Sequence, residues 1–286
     1  MLTPVSDDLV PLGDTEFAYI ANLMYDRFGI RLGDQKRILV AGRLSKRIRQ
    51  LGLNSFTQYI EYLVADKSGA ELSELINHIT TNHSYFFREK EHFDFLSQNV
   101  LCNVRDRLGK GKAYPLRIWS AGCATGEEIY SIGMLLHEYF GGLISLLDCG
   151  LLATDISVAA LSEANTGEYP SAKLRELPPN YRTSYFNRVS DDSFSIRDDI
   201  RNMVLFKRLN LMADFFPMKG KFDAIFCRNV MIYFDPDSRA RLVRTLYQYV
   251  KPGGYLFIGH SESLKRDECP FTYVKPAIYK KEEDKE

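Results

Sequence analysis

The sequence predicts an α/β protein: a doubly wound, mostly parallel sheet of Rossmann type, preceded by a small all-α domain. Three observations predict it. Between residues 14 and 80, apolar residues recur at helical spacing with no convincing strand. From residue 116 onward, short apolar runs alternate with amphipathic helical patterns. SAGCATGEE, residues 120–128, joins the first such run to the first such helix through Gly122 and Gly126.

In DTEFAYIANLMYDRFGI, Phe17, Ile20, Met24 and Phe28 fall on one helical face, and in QKRILVAGRLSKRIRQLG, Leu39, Leu44, Ile48 and Leu51 do the same. NSFTQYIEYLVAD opens on an Asn54/Ser55 N-cap signal, and ELSELINHIT completes four helices. TTNHSYFFREKEHFDFL turns from polar to aromatic to charged and reads as a junction. A helix over EHFDFLSQNVLCNVRDRL and the breaker-rich turn GKGKAYP lead into the sheet. Strands are predicted at LRIWSAG, LLATDIS, VLFKRLNL, FDAIFCRN and GYLFIGH. Helices between them are predicted at EEIYSIGMLLHEYF, SVAALSEANTG and DSRARLVRTLYQYVK, the last stopped by PGG at 252–254. FTYVKPAIYKK fits an antiparallel strand or hairpin at the sheet edge. Residues 178–202 are too long and polar for a simple connection, and SFSIRD alternates, so this stretch reads as a small β insertion. The domains predicted are a helical domain over 14–82, a junction over 83–98 and a sheet domain over 99–286 that contains the insertion.

The chain has 286 residues, enough to bury a full core. Lys plus Arg and Asp plus Glu both number 37, so any electrostatic recognition must be local. Five cysteines, widely spaced and without a C-x-x-C pair, argue against structural zinc and a disulfide framework and for a reducing compartment. MLTPVSDDLVPLG has neither the positive start nor the apolar core of a signal peptide, and no run of roughly 18 uncharged apolar residues follows. A cytoplasmic protein is expected, reaching a membrane only through a partner. The tail KKEEDKE reads as a solvated terminus.

SAGCATGEE raises the question of a ligand. A phosphate-binding P-loop needs Lys and Ser or Thr after its second glycine, where Glu127 and Glu128 stand here. A dinucleotide fingerprint needs G-x-G-x-x-G and an acid about 20 residues on; here the spacing is G-x-x-x-G and Asp155 lies 29 residues beyond Gly126. S-adenosylmethionine carries an ammonium and a sulfonium and no phosphate, so first-turn acids suit it. Asp155, ending LLATD, stands where such a sheet presents an acid to ribose hydroxyls. Read singly, Glu127 and Glu128 are equally ordinary helix acids, and Asp155 is equally an N-cap.

These segments resemble the CheR family of chemoreceptor methyltransferases. The resemblance is carried in order by TTNHSYFFRE, WSAGCATGEEIYSI, ATDIS, LNL, FDAIFCRNVMIYFD and GGYLFIGHSE, and spans about residues 14–280. It implies a class I SAM-dependent methyltransferase domain with a mostly parallel seven-stranded sheet, a small β insertion and an N-terminal all-α domain. It implies S-adenosyl-L-methionine as cofactor, S-adenosyl-L-homocysteine as product, no metal, and methyl transfer to glutamate carboxylates of methyl-accepting chemotaxis receptors. Cofactor contacts are implied at Asn82, Ser84, Arg88, Glu128, Asp155, Asn210, Leu211, Arg228 and Asn229. Arg88 is assigned to orient the incoming carboxylate and Tyr233 to line the transfer pocket. The basic helix, with Lys36, Arg37, Arg43, Lys46 and Arg47, is implied to dock the acidic flank of the receptors' helical bundle. The protein is expected to be a cytoplasmic monomer, recruited to receptor arrays, without nucleic acid or membrane insertion. Some relatives grip a receptor tether through a glycine-containing loop of the insertion; RVSDDSFSIRDD has no glycine, so tether-independent recognition is expected.

Three rivals are weighed beside this. The basic helix over 35–51 could track RNA phosphates, but RNVMIYF stands where amino-group methyltransferases carry an Asn/Asp-Pro-Pro-aromatic motif. GHSES, residues 259–263, is one residue away from a nucleophile elbow, with little chain left for an acid and a histidine. A non-catalytic adaptor would keep the fold without the strand-end residues.

Overall fold

A computed structural model describes residues 9–110, 114–265 and 269–283. The first residues of the N-terminal stretch, part of the GKGKAYP turn and the end of the charged tail lie outside the described residues. The chain divides into a helical unit, to Thr81 together with 233–235, and a sheet unit over Asn82–Ile232 and Pro236–Glu286. No helix among the described residues is long and apolar enough to cross a membrane.

The helical unit contains α1 (Asp14–Phe28), α2 (Arg37–Gln50), α3 (Phe56–Ala65) and α4 (Ala70–Ile79). Asp14 and Glu16 sit in the first turn of α1 and Arg27 in its last, complementing the helix dipole, and Gly29 closes it with a left-handed φ of 68°. Phe17, Ile20, Met24 and Phe28 are all buried, as their spacing predicts. Ser55 caps α3, its Oγ accepting from the Gln58 N–H at 3.2 Å. In α2 the buried face is Val40, Ala41, Leu44, Ser45 and Ile48, while Leu39 and Leu51 are only half-buried. A serine takes a core position because its hydroxyl is satisfied, donating to the Ala41 carbonyl and accepting from the Val10 N–H. Side-chain polarity therefore misassigned part of that face.

The sheet unit opens with α5 (Lys90–Leu96), a π turn and α6 (Cys102–Gly109), then β1 (Leu116–Ala121), α7 (Glu127–Phe140), β2 (Cys149–Asp155) and α8 (Val158–Thr166). It continues with β3 (Glu168–Pro170), α9 (Pro179–Tyr185), β4 (Phe186–Arg188), β5 (Ser193–Ile196), α10 (Asp198–Arg201) and β6 (Val204–Arg208). It closes with β7 (Phe222–Cys227), α11 (Pro236–Tyr249), β8 (Val250–Ile258), β9 (Thr272–Lys275) and β10 (Ile278–Lys280). Seven strands form one sheet in the order β6-β2-β1-β7-β8-β10-β9. The pairs from β6 to β8 are parallel, and β10 pairs antiparallel with β8 and β9. The order reverses between β1 and β7, which places a ligand crevice at the carboxyl ends of the strands there.

Two boundaries differ from the sequence reading. The insertion is a three-stranded antiparallel sheet, β3-β5-β4, that begins at Glu168 instead of 178. Three residues of β3 are too few to show alternation. The junction over 83–98 is part of the sheet unit: Phe86, Phe93, Phe95 and Leu96 are buried in its core. Phe86 meets Tyr169 and Phe186 of the insertion edge-on, at 5.0 and 5.4 Å between ring centroids.

Candidate functional site

The loop from β1 to α7 is shaped by backbone constraints. Gly122 has φ 87°, and a Cβ there would lie 2.3 Å from Cγ2 of Val230, so only glycine lets the two loops approach. The N–H groups of Gly122 and Cys123 donate to the Thr154 carbonyl at 2.7 and 2.9 Å, and that of Ala124 donates to Oδ2 of Asp155 at 2.9 Å. Oδ1 of Asp155 accepts from the Ser157 N–H at 2.9 Å. The N-cap of α8 is Ser157, whose Oγ accepts from the Ala160 N–H, so Asp155 is not the cap. Burial pushes the Asp155 carboxyl up, and its backbone hydrogen bonds oppose this. The N–H groups of Ala124, Ile156 and Ser157 bond its two oxygens, which together offer about four lone-pair sites, so acceptor capacity remains.

The two neighbouring glutamates do different things. Glu127 is fully buried, accepts from the Thr125 hydroxyl at 2.8 Å and forms an ion pair with Lys173 of the insertion. It fastens the loop to the β subdomain. Glu128 points the other way: Oε1 accepts from Ser120 Oγ at 2.7 Å and Oε2 from Arg228 Nη1 at 3.0 Å. Arg228, 5 % exposed, also reaches Glu89 Oε2 at 3.1 Å and donates to the Arg88 carbonyl. One guanidinium thus ties the ends of β1 and β7 to the junction. Burial raises the Glu128 carboxyl, with Arg228 pulling it back down. Two carboxylates share one cation, so the cluster retains a net negative charge, which suits a cationic ligand group.

Asn229, next to Arg228, has a left-handed φ of 58°. Its N–H donates to Glu262 Oε2 at 3.0 Å, which also accepts from the Gly259 N–H at 2.6 Å, and Oε1 accepts from the Ile232 N–H at 3.2 Å. Sequence reasoning missed Glu262, although it ends the GHSE segment it had singled out. In place of a nucleophile elbow, residues 259–262 make a tight turn in which the Glu262 N–H donates to the Gly259 carbonyl. At the end of β6, Asn210 Oδ1 accepts from the Met212 N–H at 3.0 Å, and the Leu209 N–H donates to the Asp155 carbonyl, setting Asn210 and Leu211 beside β2.

From the junction, Asn82, Ser84 and Arg88 are half-buried. Arg88 donates to the His83 carbonyl at 3.3 Å and lies over the Tyr85 ring at 5.5 Å. Phe87 and Glu89 both have positive φ, near 55°, and the turn is held by the Phe87 N–H donating to Ser131 Oγ. All nine cofactor candidates therefore belong to the sheet unit. Tyr233 belongs to the helical unit, where its carbonyl accepts from the Arg31 N–H at 2.9 Å.

Glu89, His92 and His260 bring potential metal-ligand atoms within 4.8 Å of one another. The metal-free expectation is thus not enforced by ligand chemistry, but Arg228 already holds the Glu89 oxygen nearest the imidazoles. His92 is fully buried, and burial with the Arg228 charge lowers it to about 3, leaving it neutral. Cys227 is buried, with its thiol pushed well up by desolvation, which does not suit an activated nucleophile.

The basic helix is less free than its sequence suggests. Arg37 pairs with Asp14 at 2.9 Å, Arg43 donates to the Ile79 and Thr80 carbonyls at the end of α4, and Arg47 pairs with the buried Glu71. Lys36 and Lys46 are exposed.

The model of the CheR methyltransferase SAM binding domain matches residues 82–279, and that of the CheR methyltransferase all-alpha domain matches residues 15–80. A chemotaxis protein methyltransferase of Borreliella burgdorferi is 42% identical over 93% of this chain and 94% of its own length. That of Escherichia coli is 38% identical over 94% and 91%, and that of Salmonella typhimurium 37% over 96% and 92%. With both family domains matched in order and the strand-end residues in place, the chain belongs to the CheR methyltransferase family.

Proposed function

We propose that the protein transfers a methyl group from S-adenosylmethionine to glutamate side chains of methyl-accepting chemotaxis receptors, giving methyl esters. What carries the reading is the crevice at the ends of β1, β2, β6 and β7, where Glu128, Asp155, Asn210, Leu211, Arg228 and Asn229 come from successive strands of a family that binds this cofactor. The residues fit it: Gly122 lets the loops after β1 and β7 close on one another, the glutamate pair leaves net negative charge for the methionine end, and Asp155 keeps acceptor capacity for ribose hydroxyls. When bound, the cofactor supplies an electrophilic methyl on a sulfonium.

The acceptor glutamate is ionised at neutral pH, with a reference pKa of about 4.3, so no general base is required. The chain's work is orientation, which can supply several kcal/mol. In this reading Arg88 pairs with the incoming carboxylate, and Asn82 and Ser84 add cofactor contacts. The exposed Lys36 and Lys46 meet acidic receptor flanks, while Arg37, Arg43 and Arg47 hold the docking helix in shape. The protein acts as a cytoplasmic monomer brought to membranes by its receptors.

Incubation with methyl-labelled S-adenosylmethionine and receptor-containing membranes should give label released by alkali. Alkali-stable label, or none, refutes the reading. Direct recognition without a tether is tested by titrating C-terminal receptor peptides in a calorimeter. Absence of heat supports it; tight binding, for instance in the groove between Arg182, Arg188, Phe186 and Phe194, refutes it.

A further inference from the structure

We infer that Glu262 is a positioning residue of the cofactor pocket, holding the turn after β7 in the shape that presents Arg228 and Asn229. The inference deepens the methyl-transfer reading above and rests on it. Glu262 is 8 % exposed, and its carboxylate gathers backbone N–H groups from two strand ends: Asn229 at 3.0 Å, Ile232 at 3.2 Å and Gly259 at 2.6 Å, with Met231 beside them; burial pushes the carboxyl up and these bonds pull it back. Hydrogen bonds to an ionised acceptor are stronger than neutral ones. They hold Asn229 in the left-handed region at φ 58°, a conformation that asparagine adopts more readily than other side chains and that the clamp selects.

Gly259 shows how close the two turns approach. A Cβ there would lie 2.9 Å from the Asn229 nitrogen and 2.5 Å from its Nδ2. Arg228 precedes Asn229 in the chain and bonds Glu128 at 3.0 Å, so relaxing the Asn229 turn moves the guanidinium that the glutamates share. Glu262 itself acts through backbone, not through the ligand.

A buried acid at the other end of the same strand provides the control. Asp223 accepts from the Arg117 N–H at 2.7 Å, the Lys251 ammonium at 2.8 Å and the Tyr114 hydroxyl at 2.5 Å. Its loss destabilises the sheet far from the strand carboxyl ends.

The test titrates S-adenosylhomocysteine calorimetrically into wild type, Glu262→Gln, Glu262→Asp and Asp223→Asn, below their melting temperatures. Gln keeps one acceptor and turns an NH2 toward the donors, so its Kd should rise about tenfold, the scale of one charge-assisted hydrogen bond. Asp restores the charge one methylene short and should fall between. Asp223→Asn should lower the melting temperature yet bind as wild type. Wild-type affinity in Glu262→Gln, or an equal loss in Asp223→Asn, overturns the inference. Should Glu262→Gln fail to fold, Glu262→Asp decides alone, with lowered affinity supporting it and unchanged affinity overturning it. A wild type that takes up no S-adenosylhomocysteine overturns the cofactor reading, and this inference with it.

Discussion

Replacing Arg228 with methionine tests the buried cluster most directly. The substitution fills similar space but removes the guanidinium paired with both Glu128 and Glu89, whose side chains are 13 % and 12 % exposed. It also frees the Arg88 carbonyl that the guanidinium binds. Removing one partner of a buried ion pair costs about 3–5 kcal/mol, because the remaining charge is left desolvated. Two acids left side by side should place Arg228→Met in that range at pH 8. The loss should be pH-dependent. The Glu128 carboxyl is already raised by burial, with Arg228 opposing the rise; without the arginine it rises further. An acid whose folded pKa exceeds its unfolded value binds more protons folded than unfolded, so stability falls as pH rises through that interval. The variant should therefore recover part of its stability at pH 5. Trp119, the single tryptophan, is fully buried in β1 and donates to Thr154 Oγ1, so its fluorescence during urea unfolding follows the sheet unit. A loss below about 1 kcal/mol, typical of exposed pairs, or the same loss at pH 5 and pH 8, would refute the reasoning.

Arg47→Ala should destabilise the helical unit by about 3 kcal/mol or more, since it leaves Glu71, 3 % exposed, with the Tyr59 hydroxyl at 3.0 Å but without its cation. Circular dichroism melting checks this, and Lys46→Glu should leave the melt unchanged while weakening receptor binding. Gly122→Ala should abolish measurable S-adenosylhomocysteine binding through the contact with Val230. The double variant with Val230→Ala should recover only in part, because φ 87° still disfavours a side chain. Full recovery would show that crowding alone matters. Asp155→Asn should weaken binding of the same ligand by about 1–3 kcal/mol, and equal affinity by calorimetry would count against a ribose contact.

The strands and helices of the sheet unit were legible because their signals are local: apolar runs ended by Gly, Asp or Asn, then amphipathic periodicity. The acids after Gly126 were legible as a pair but not as two roles. Glu127 and Glu128 are adjacent on a helix, so their side chains point in different directions, and only the packed insertion supplies Lys173 to one while β7 supplies Arg228 to the other. Glu262 stayed hidden because its partners are backbone groups, which every residue carries. The start of the insertion at Glu168 was hidden because β3 exists only by pairing with β5, 25 residues further on.

By itself, then, the sequence determined the class of fold, the order of its main strands and helices and the family, since these depend on periodicity and short motifs along the chain. The tertiary structure alone decided which charges are spent on one another. Arg43 and Arg47 became struts of the helical unit, Arg228 became the shared counter-ion of Glu89 and Glu128, and Glu262 became a backbone clamp. Burial and distance set the worth of a charge, and both arise only when residues remote in the chain are brought together.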